Sequence, residues 1–241
     1  MLKINNKPYL NLDPFLPLET MPDVKELIIE SYDILRFSNP FTQFDNVGKV
    51  KEKHPITSDV THKDTWTREI RTGVCSAPYI FLFLREGKKS NNVHGYSWIY
   101  DSILDSDDIW DSWKWIDGLS EKWNPFINWI ESLPLKKISN LIFFLQKPYI
   151  IPYFHQDHLL DGNSYPHRQE FIRIEISDKS FQILNLSNEP IDVKHKAIFF
   201  NQQTLHGSNK ISKEWTISLR IDCVFTEELR KKLGIHHLEQ Y

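Results

Sequence analysis

The sequence predicts an α+β fold in which a helical N-terminal part packs on a C-terminal β-sandwich or barrel. Two observations lead to this prediction. Apolar residues recur at helical spacing in segments before residue 135, whereas short β-rich segments follow one another from there to residue 225. Helices and strands that are segregated along the chain are typical of α+β domains. Because 241 residues suffice for one well-filled core, we expect a single domain over 1–241.

The N-terminal part, residues 1–134, contains two segments with one apolar face. Segment 22–37 has the spacing of an amphipathic helix and is followed by an Asn-Pro pair that is typical of a helix end. Segment 120–134 begins with a serine that can cap a helix and ends near a proline. Between them, the run 79–84 has the length and aromatic content of a buried strand.

Tryptophans and acidic residues alternate between Trp98 and Trp115. Two interpretations are open: a helix whose tryptophans cover the sheet, or an aromatic lid over a substrate. Because large aromatic rings account for much of the buried area of protein cores, we adopt the covering helix as the prediction.

The C-terminal part contains strands separated by Gly, Pro, Asn and Asp. We assign 135–226 to the barrel core and 227–241 to a C-terminal tail. The predicted strands are 138–145, 171–176, 181–186, 196–201 and 215–225.

Charge and composition argue against some classes of partner. A net charge of −3 and a pI near 6.4 give no electrostatic support for binding nucleic acid or an anionic membrane. The apolar runs are too short to cross a bilayer. Cys75 and Cys223 are far apart in the sequence, so free thiols in a reducing compartment are favoured, with a single disulfide as the alternative. We therefore expect a cytoplasmic protein with a small-molecule or peptide substrate.

A candidate metal site follows from two polar motifs that come directly after predicted strands. In Ile151-Pro-Tyr-Phe-His-Gln-Asp-His158, the side chains of His155 and Asp157 are two residues apart and share one face of an extended chain. His206 follows another strand, several strands later. Two imidazoles and one carboxylate leave coordination positions open on Fe(II). We predict that His155, Asp157 and His206 bind one metal ion.

A candidate anion site follows from the last predicted strand. Trp215, Ile217, Leu219, Ile221, Cys223 and Phe225 alternate on one face, so Arg220 shares the opposite face with Thr216, Ser218 and Asp222. A guanidinium inside a barrel is costly unless it meets an anion. A dicarboxylate co-substrate would supply that anion, with Ser218 donating a second hydrogen bond. The structural alternative is an ion pair with Asp222 or Glu175.

These motifs together resemble the Fe(II)/2-oxoglutarate dioxygenase superfamily. Their order is most similar to the aspartyl/asparaginyl β-hydroxylase-like group, which includes bacterial proline hydroxylases. The resemblance covers roughly residues 135–225, and its motifs are Ile-Pro-Tyr-Phe-His-Gln-Asp, Arg173-Ile-Glu-Ile, Lys-Ala-Ile-Phe-Phe-Asn, His-Gly-Ser-Asn and Arg220-Ile-Asp.

The resemblance implies a double-stranded β-helix, the jelly-roll or cupin-like barrel. It also implies Fe(II) bound by the HxD motif and His206, with 2-oxoglutarate and O₂ as co-substrates. Arg220 would bind the far carboxylate of 2-oxoglutarate. An arginine at the place of Arg173 helps to hold a co-substrate or substrate carboxylate in such enzymes, although Arg173 and Glu175 are equally compatible with simple pairing to neighbours.

The reaction implied by the resemblance is hydroxylation of an amino acid, free or within a peptide or protein. The chain departs from the group in two places: its arginine lies farther from the distal histidine, and Glu175 stands where the group has a histidine. Two alternatives remain. One is oxidation of another small metabolite, and the other is a non-catalytic jelly roll that binds a metal or a sugar.

Overall fold

The computed structural model describes residues 8–31, 79–86, 113–146, 154, 170–177, 181–184, 189–200, 204–207, 210 and 212–235. Its helices are α1 (Lys25–Glu30), α2 (Asn124–Glu131) and α3 (Glu227–Leu233). Its strands are β1 (Tyr9–Asn11), β2 (Tyr79–Phe83), β3 (Arg85–Glu86), β4 (Lys114–Trp115), β5 (Leu135–Gln146), β6 (Glu170–Glu175), β7 (Gln182–Leu184), β8 (Pro190–Asp192), β9 (Ala197–Phe200), β10 (His206–Gly207) and β11 (Thr216–Phe225).

Most of these strands belong to two antiparallel sheets. The larger sheet has the order β1-β9-β6-β11-β5-β2, and the smaller has the order β10-β7-β8. From β6 onward the chain passes from the larger sheet to β7 and β8, returns to β9, crosses to β10 and returns to β11. Repeated crossing between two sheets is the arrangement of a jelly roll. The predicted β-rich C-terminal part is confirmed, and the described strands form two open antiparallel sheets instead of a closed barrel.

The outer face of the larger sheet is covered by α2. Its Phe126 ring lies 5.8 Å from the ring of Phe143 on β5, and Trp123, just before the helix, lies 6.1 Å from the same ring. All three side chains are fully buried. Apolar residues of β6 and β11 continue this face, so the outer side of the sheet forms the main core with the helix.

The inner face of the larger sheet meets the smaller sheet. Phe181, next to β7, lies 5.4 Å from Phe200 on β9, and Phe200 lies 5.0 Å from Phe171 on β6. Polar side chains share this face, because Arg173 pairs in register with Arg220 across β6 and β11. The space between the two sheets therefore combines aromatic rings with buried charges.

The N-terminal segment is attached to the edge of the larger sheet. The Asp13 carboxylate accepts hydrogen bonds from the backbone N–H groups of Ala197 (2.6 Å) and Lys196 (3.2 Å). Farther along, the Trp123 indole donates to the Ser31 hydroxyl at 2.8 Å. These bonds tie the N-terminal segment and α1 to the strand and helix that they cover.

The predicted helices agree with the structure in part. The helix predicted after Ser120 is confirmed: a 3₁₀ turn over Glu121–Trp123 leads into α2. Within 22–37 the structure has α1 over Lys25–Glu30, and residues 32–37 lie outside the described part. The predicted strand runs 79–84, 138–145, 171–176, 181–186, 196–201 and 215–225 coincide with β2, β5, β6, β7, β9 and β11 over their described residues.

The covering helix predicted over Trp98–Trp115 is wrong at its C-terminal end, because Lys114–Trp115 is strand β4; residues 98–112 lie outside the described part. Arg85 on β3 explains the extended backbone. Its guanidinium donates to the carbonyl groups of Trp113 (2.7 Å) and Ile138 and lies 5.5 Å from the Trp115 ring. Burial lowers the pKa of Arg85 to about 10, a shift that Glu131 opposes. A helix over Lys114–Trp115 would not keep the contacts of Arg85 with the Trp113 carbonyl group and the Trp115 ring.

The segment predicted as a C-terminal tail contains helix α3. The Thr226 hydroxyl caps it by accepting from the Leu229 N–H, and Gly234 ends it in the left-handed conformation at φ 68°. None of the helices in the described part of the chain has the length and apolarity that a membrane crossing requires.

Candidate functional site

The structure describes four of the six predicted site residues. His206 is on β10 of the smaller sheet, whereas Arg173 on β6 and both Ser218 and Arg220 on β11 belong to the larger sheet. The contacts below place all four between the two sheets. His155 and Asp157 lie outside the described residues.

His206 has the environment of a metal-binding histidine. Its side chain is buried, and its Nδ1 atom lies 2.8 Å from the carbonyl oxygen of Thr204. A carbonyl oxygen can only accept, so Nδ1 carries the hydrogen in this contact. A backbone carbonyl that holds Nδ1–H is a common outer partner of histidines that bind metals through Nε2.

Two phenylalanine rings hold the imidazole of His206 in place. Phe200 lies 4.8 Å from it in an edge contact, and Phe181 lies 6.0 Å away. Because rings on two sides and the Thr204 carbonyl restrict the imidazole, its orientation is set by packing before any ligand binds.

Arg173 is held by three neighbours. Its Nε donates to Glu175 Oε1 at 2.7 Å, and its Nη2 donates to Ser218 Oγ at 2.9 Å. The guanidinium carbon lies 4.1 Å from the centroid of the Phe181 ring, which also contacts His206. The Phe181 ring thus contacts both the guanidinium of Arg173 and the imidazole of His206.

Arg220 lies directly opposite Arg173 in the β6–β11 register. Its Nε donates to Asp222 Oδ1 at 2.7 Å, and its guanidinium carbon lies 4.5 Å from the Phe171 ring. The ion pair with Asp222, which the sequence left open, is therefore present. A guanidinium has five N–H donors, so the ion pair with Asp222 is compatible with binding a second carboxylate.

The charges on this face balance in pairs along each strand. Arg173 pairs with Glu175 on β6, and Arg220 pairs with the fully buried Asp222 on β11. Within the described residues, buried oxygen atoms of this face that have no hydrogen-bond partner include Glu175 Oε2 and Thr216 Oγ1. Buried polar atoms of native proteins are nearly always bonded, so each such atom needs an explanation.

The described residues contain no group of three His, Cys, Asp or Glu side chains that could hold a metal ion. They include one of the three predicted ligands, His206, and imidazole is a ligand for Fe(II) as well as for other divalent metals. The predicted HxD ligands, His155 and Asp157, belong to the connection between β5 and β6.

Some contacts of the site carry no signal in the sequence. The Thr204 carbonyl is a backbone acceptor, and no residue type indicates where such an acceptor points. Phe181 and Phe200 were readable only as strand residues, although both rings contact His206. The partners of the two arginines were easier to predict from the sequence. Glu175 and Asp222 lie two residues along the same strands and so share a face with Arg173 and Arg220.

No family model and no curated protein matches this chain. Among solved structures it is similar to a prolyl-4-hydroxylase from Pseudomonas putida at 13% identity and a TM-score of 0.33, over 45% of this chain and 70% of that chain. An oxidoreductase of the 2OG-Fe(II) oxygenase family from Burkholderia pseudomallei matches at 10% identity and a TM-score of 0.33, over 66% and 77%.

A third similar structure is the viral collagen prolyl hydroxylase of Paramecium Bursaria Chlorella virus-1 with 2OG. It matches at 13% identity and a TM-score of 0.30, over 70% of this chain and 92% of that chain.

Proposed function

We propose that this chain is an Fe(II)- and 2-oxoglutarate-dependent oxygenase that hydroxylates an amino acid, free or within a peptide or protein. The observation that carries the proposal is the buried His206, whose Nδ1 atom lies 2.8 Å from the Thr204 carbonyl oxygen, a backbone contact that is common for histidines that bind metals through Nε2. The Phe181 ring contacts both His206 and Arg173, and Arg173 lies opposite Arg220 in the β6–β11 register.

His155 and Asp157 would complete the metal site. Both lie in the connection that leaves β5 at Gln146 and reaches β6 at Glu170. We propose that this connection brings the two side chains to His206, as their spacing in an extended chain favours. When bound, Fe(II) supplies the oxidation of 2-oxoglutarate by O₂ to succinate and carbon dioxide, coupled to hydroxylation of a C–H bond.

Arg220 and Ser218 are proposed to hold the far carboxylate of 2-oxoglutarate. The bond from Arg220 Nε to Asp222 fixes the plane of the guanidinium, and its position over Phe171 restricts rotation about the side chain. Ser218 Oγ accepts from Arg173, which leaves its own O–H hydrogen to donate to a carboxylate. A co-substrate with one orientation and little surrounding water is what such a reaction requires from the protein.

The test of the proposal is succinate production from 2-oxoglutarate under air with Fe(II) and ascorbate, with an anaerobic reaction as the control. We expect O₂-dependent succinate from the natural chain and none above background from His206→Ala. His195→Ala is the matched control, because His195 is partly exposed, contacts Asp13 and lies outside the proposed site. Tight metal binding without O₂-dependent succinate would instead identify a non-catalytic metal-binding jelly roll.

A further inference from the structure

The inner face of β6 carries two buried, opposite charges side by side. The Arg173 and Glu175 side chains are 10% and 11% exposed, and they are two residues apart on one strand. They pair through Arg173 Nε and Glu175 Oε1 at 2.7 Å. Arg173 lies against the Phe181 ring that contacts His206, so we expect a molecule bound to Arg173 to lie near the proposed metal.

Arg173 and Glu175 each use some of their polar atoms for contacts within the protein. Arg173 is held through Nε and Nη2 and by rings on two sides, Phe181 at 4.1 Å and Phe144 at 5.8 Å. Glu175 uses Oε1 for Arg173, while its Oε2 atom is buried and has no hydrogen-bond partner among the described residues. An ionised carboxylate offers about four acceptor positions, so the second oxygen is suited to a cationic donor.

We propose that Arg173 and Glu175 recognise the two charges of a free amino acid, which rests on the proposed function and narrows its substrate class. The Arg173 guanidinium binds the α-carboxylate, and Glu175 Oε2 accepts from the α-ammonium group. A zwitterion presents these two charges a few ångströms apart, as the arginine and the glutamate do. A residue inside a peptide has neither charge, so it would leave both buried groups without a new partner.

This arrangement makes a specific demand on the ligand. A site built to bond a polar group rejects an analogue that lacks the group, because the buried atoms of the protein are then left unpaired. Acetylation of the amine removes the positive charge opposite Glu175. Amidation of the carboxylate removes the negative charge opposite Arg173. Either change should weaken binding about tenfold to a hundredfold, the value of one charge-assisted hydrogen bond.

The first experiment measures binding without turnover. The full chain is loaded with Mn(II) and 2-oxoglutarate under anaerobic conditions and titrated by calorimetry with each of the twenty proteinogenic amino acids. Those that bind are compared with their N-acetyl and C-amide derivatives. We expect at least one free amino acid to bind about tenfold or more tightly than both derivatives. Binding of no free amino acid, or equal binding of the derivatives, would overturn the inference.

The second experiment uses Glu175→Gln, which keeps an oxygen acceptor for Arg173 Nε and removes the charge. The ratio of the affinity for the free amino acid to that for its N-acetyl derivative should fall about tenfold or more. Glu228→Gln is the control, since Glu228 is 77% exposed on α3 and pairs with Lys232. An unchanged ratio in Glu175→Gln, with an unchanged melting temperature, would remove Glu175 from recognition.

The oxygenase proposal and the zwitterion-site proposal can be overturned independently of each other. Succinate formation that is stimulated by peptides or other metabolites, with no binding of free amino acids, would leave the oxygenase in place and overturn the zwitterion site. Binding of a free amino acid without O₂-dependent succinate would retain the zwitterion site and overturn the oxygenase.

Discussion

Each buried arginine on the inner face of the larger sheet is paired with a carboxylate two residues away on its own strand. This pattern explains how Arg173 and Arg220 can face each other across β6 and β11 without net repulsion, because Glu175 and Asp222 neutralise them locally. Buried ion pairs add little stability relative to apolar packing, but removal of one partner is costly. Such groups are therefore more easily understood as parts of a binding site than as sources of stability.

Arg220→Ala should raise the KM for 2-oxoglutarate about tenfold to a hundredfold, because a hydrogen bond between charged groups contributes about 1.5–3 kcal/mol. Arg220→Lys should recover part of the loss, since it keeps the charge but not the two-pronged geometry. Initial rates of succinate formation against 2-oxoglutarate concentration measure the effect. An unchanged KM in Arg220→Ala would transfer the role to Arg173.

Thr216→Val should stabilise the protein by about 1 kcal/mol. The Thr216 hydroxyl oxygen is buried and has no hydrogen-bond partner within the described residues, and valine has nearly the same shape without the polar atom. Urea unfolding of the two proteins measures the difference. A loss of stability would mean that the hydroxyl has a partner in the folded protein, and a raised KM for 2-oxoglutarate would identify that partner as the co-substrate.

At the scale of elements, helix α3 is attached to the sheet by one buried carboxylate. Glu170, at the start of β6, accepts from the Phe225 N–H at 2.6 Å and from Arg230 Nε at 2.7 Å and Nη2 at 3.1 Å. The hydrogen bond with Glu170 raises the pKa of Arg230. Glu170 thus connects β6 with both the end of β11 and helix α3.

Glu170→Ala should lower the free energy of unfolding by about 3–5 kcal/mol, since it removes one partner of a buried ion pair and leaves a backbone N–H unsatisfied. Glu227→Ala is the control. Glu227 bonds the same arginine from a side chain that is 70% exposed, so its loss should cost less than about 1 kcal/mol. Equal effects of the two substitutions in urea unfolding would contradict the anchoring role of Glu170.

An element could be predicted where its own residue pattern indicated its structure, and it was mispredicted where its structure depends on contacts with residues far away in the sequence. The strand of Arg220 was readable because strict alternation separates an apolar face from a polar one, and the structure retains that separation. Lys114–Trp115 was misread because its extended form depends on Arg85, nearly thirty residues earlier. Helix α3 was overlooked although Thr226 and Gly234 are ordinary start and stop signals.

At the scale of the whole molecule, the sequence predicted a helical N-terminal part, whereas the described residues before 135 include strands β1 to β4 beside α1 and α2, and α3 follows the last strand. The order of strands in the sheets could not be predicted. Parity along a strand indicates which residues share a face, and this was enough to group Arg220 with Ser218 and Asp222. It does not indicate which strands are neighbours. The pairing of Arg220 with Arg173, and the contact of Phe181 with both Arg173 and His206, depend on that order.

The order of strands also bears on how the protein folds. Strand β11 is the last strand of the described chain, yet it lies between β5 and β6 in the larger sheet. During synthesis on the ribosome, β5 and β6 therefore emerge well before the strand that separates them. Folding must wait for contacts between residues far apart in sequence, and such topologies fold slowly. Until β11 inserts, β5 and β6 each expose an unpaired edge, which is a hazard for aggregation.

The alkylation of Cys223 on β11 can report when this strand enters the sheet. It is buried in the folded protein, and burial raises the pKa of its thiol, so the reactive thiolate is suppressed at pH 8. During refolding from urea, pulses of iodoacetamide should modify Cys223 until β11 enters the sheet and not afterwards. Peptide mass spectrometry measures the modified fraction at each time. We expect protection of Cys223 to appear together with succinate-forming activity, because β11 carries Ser218 and Arg220 as well as Cys223.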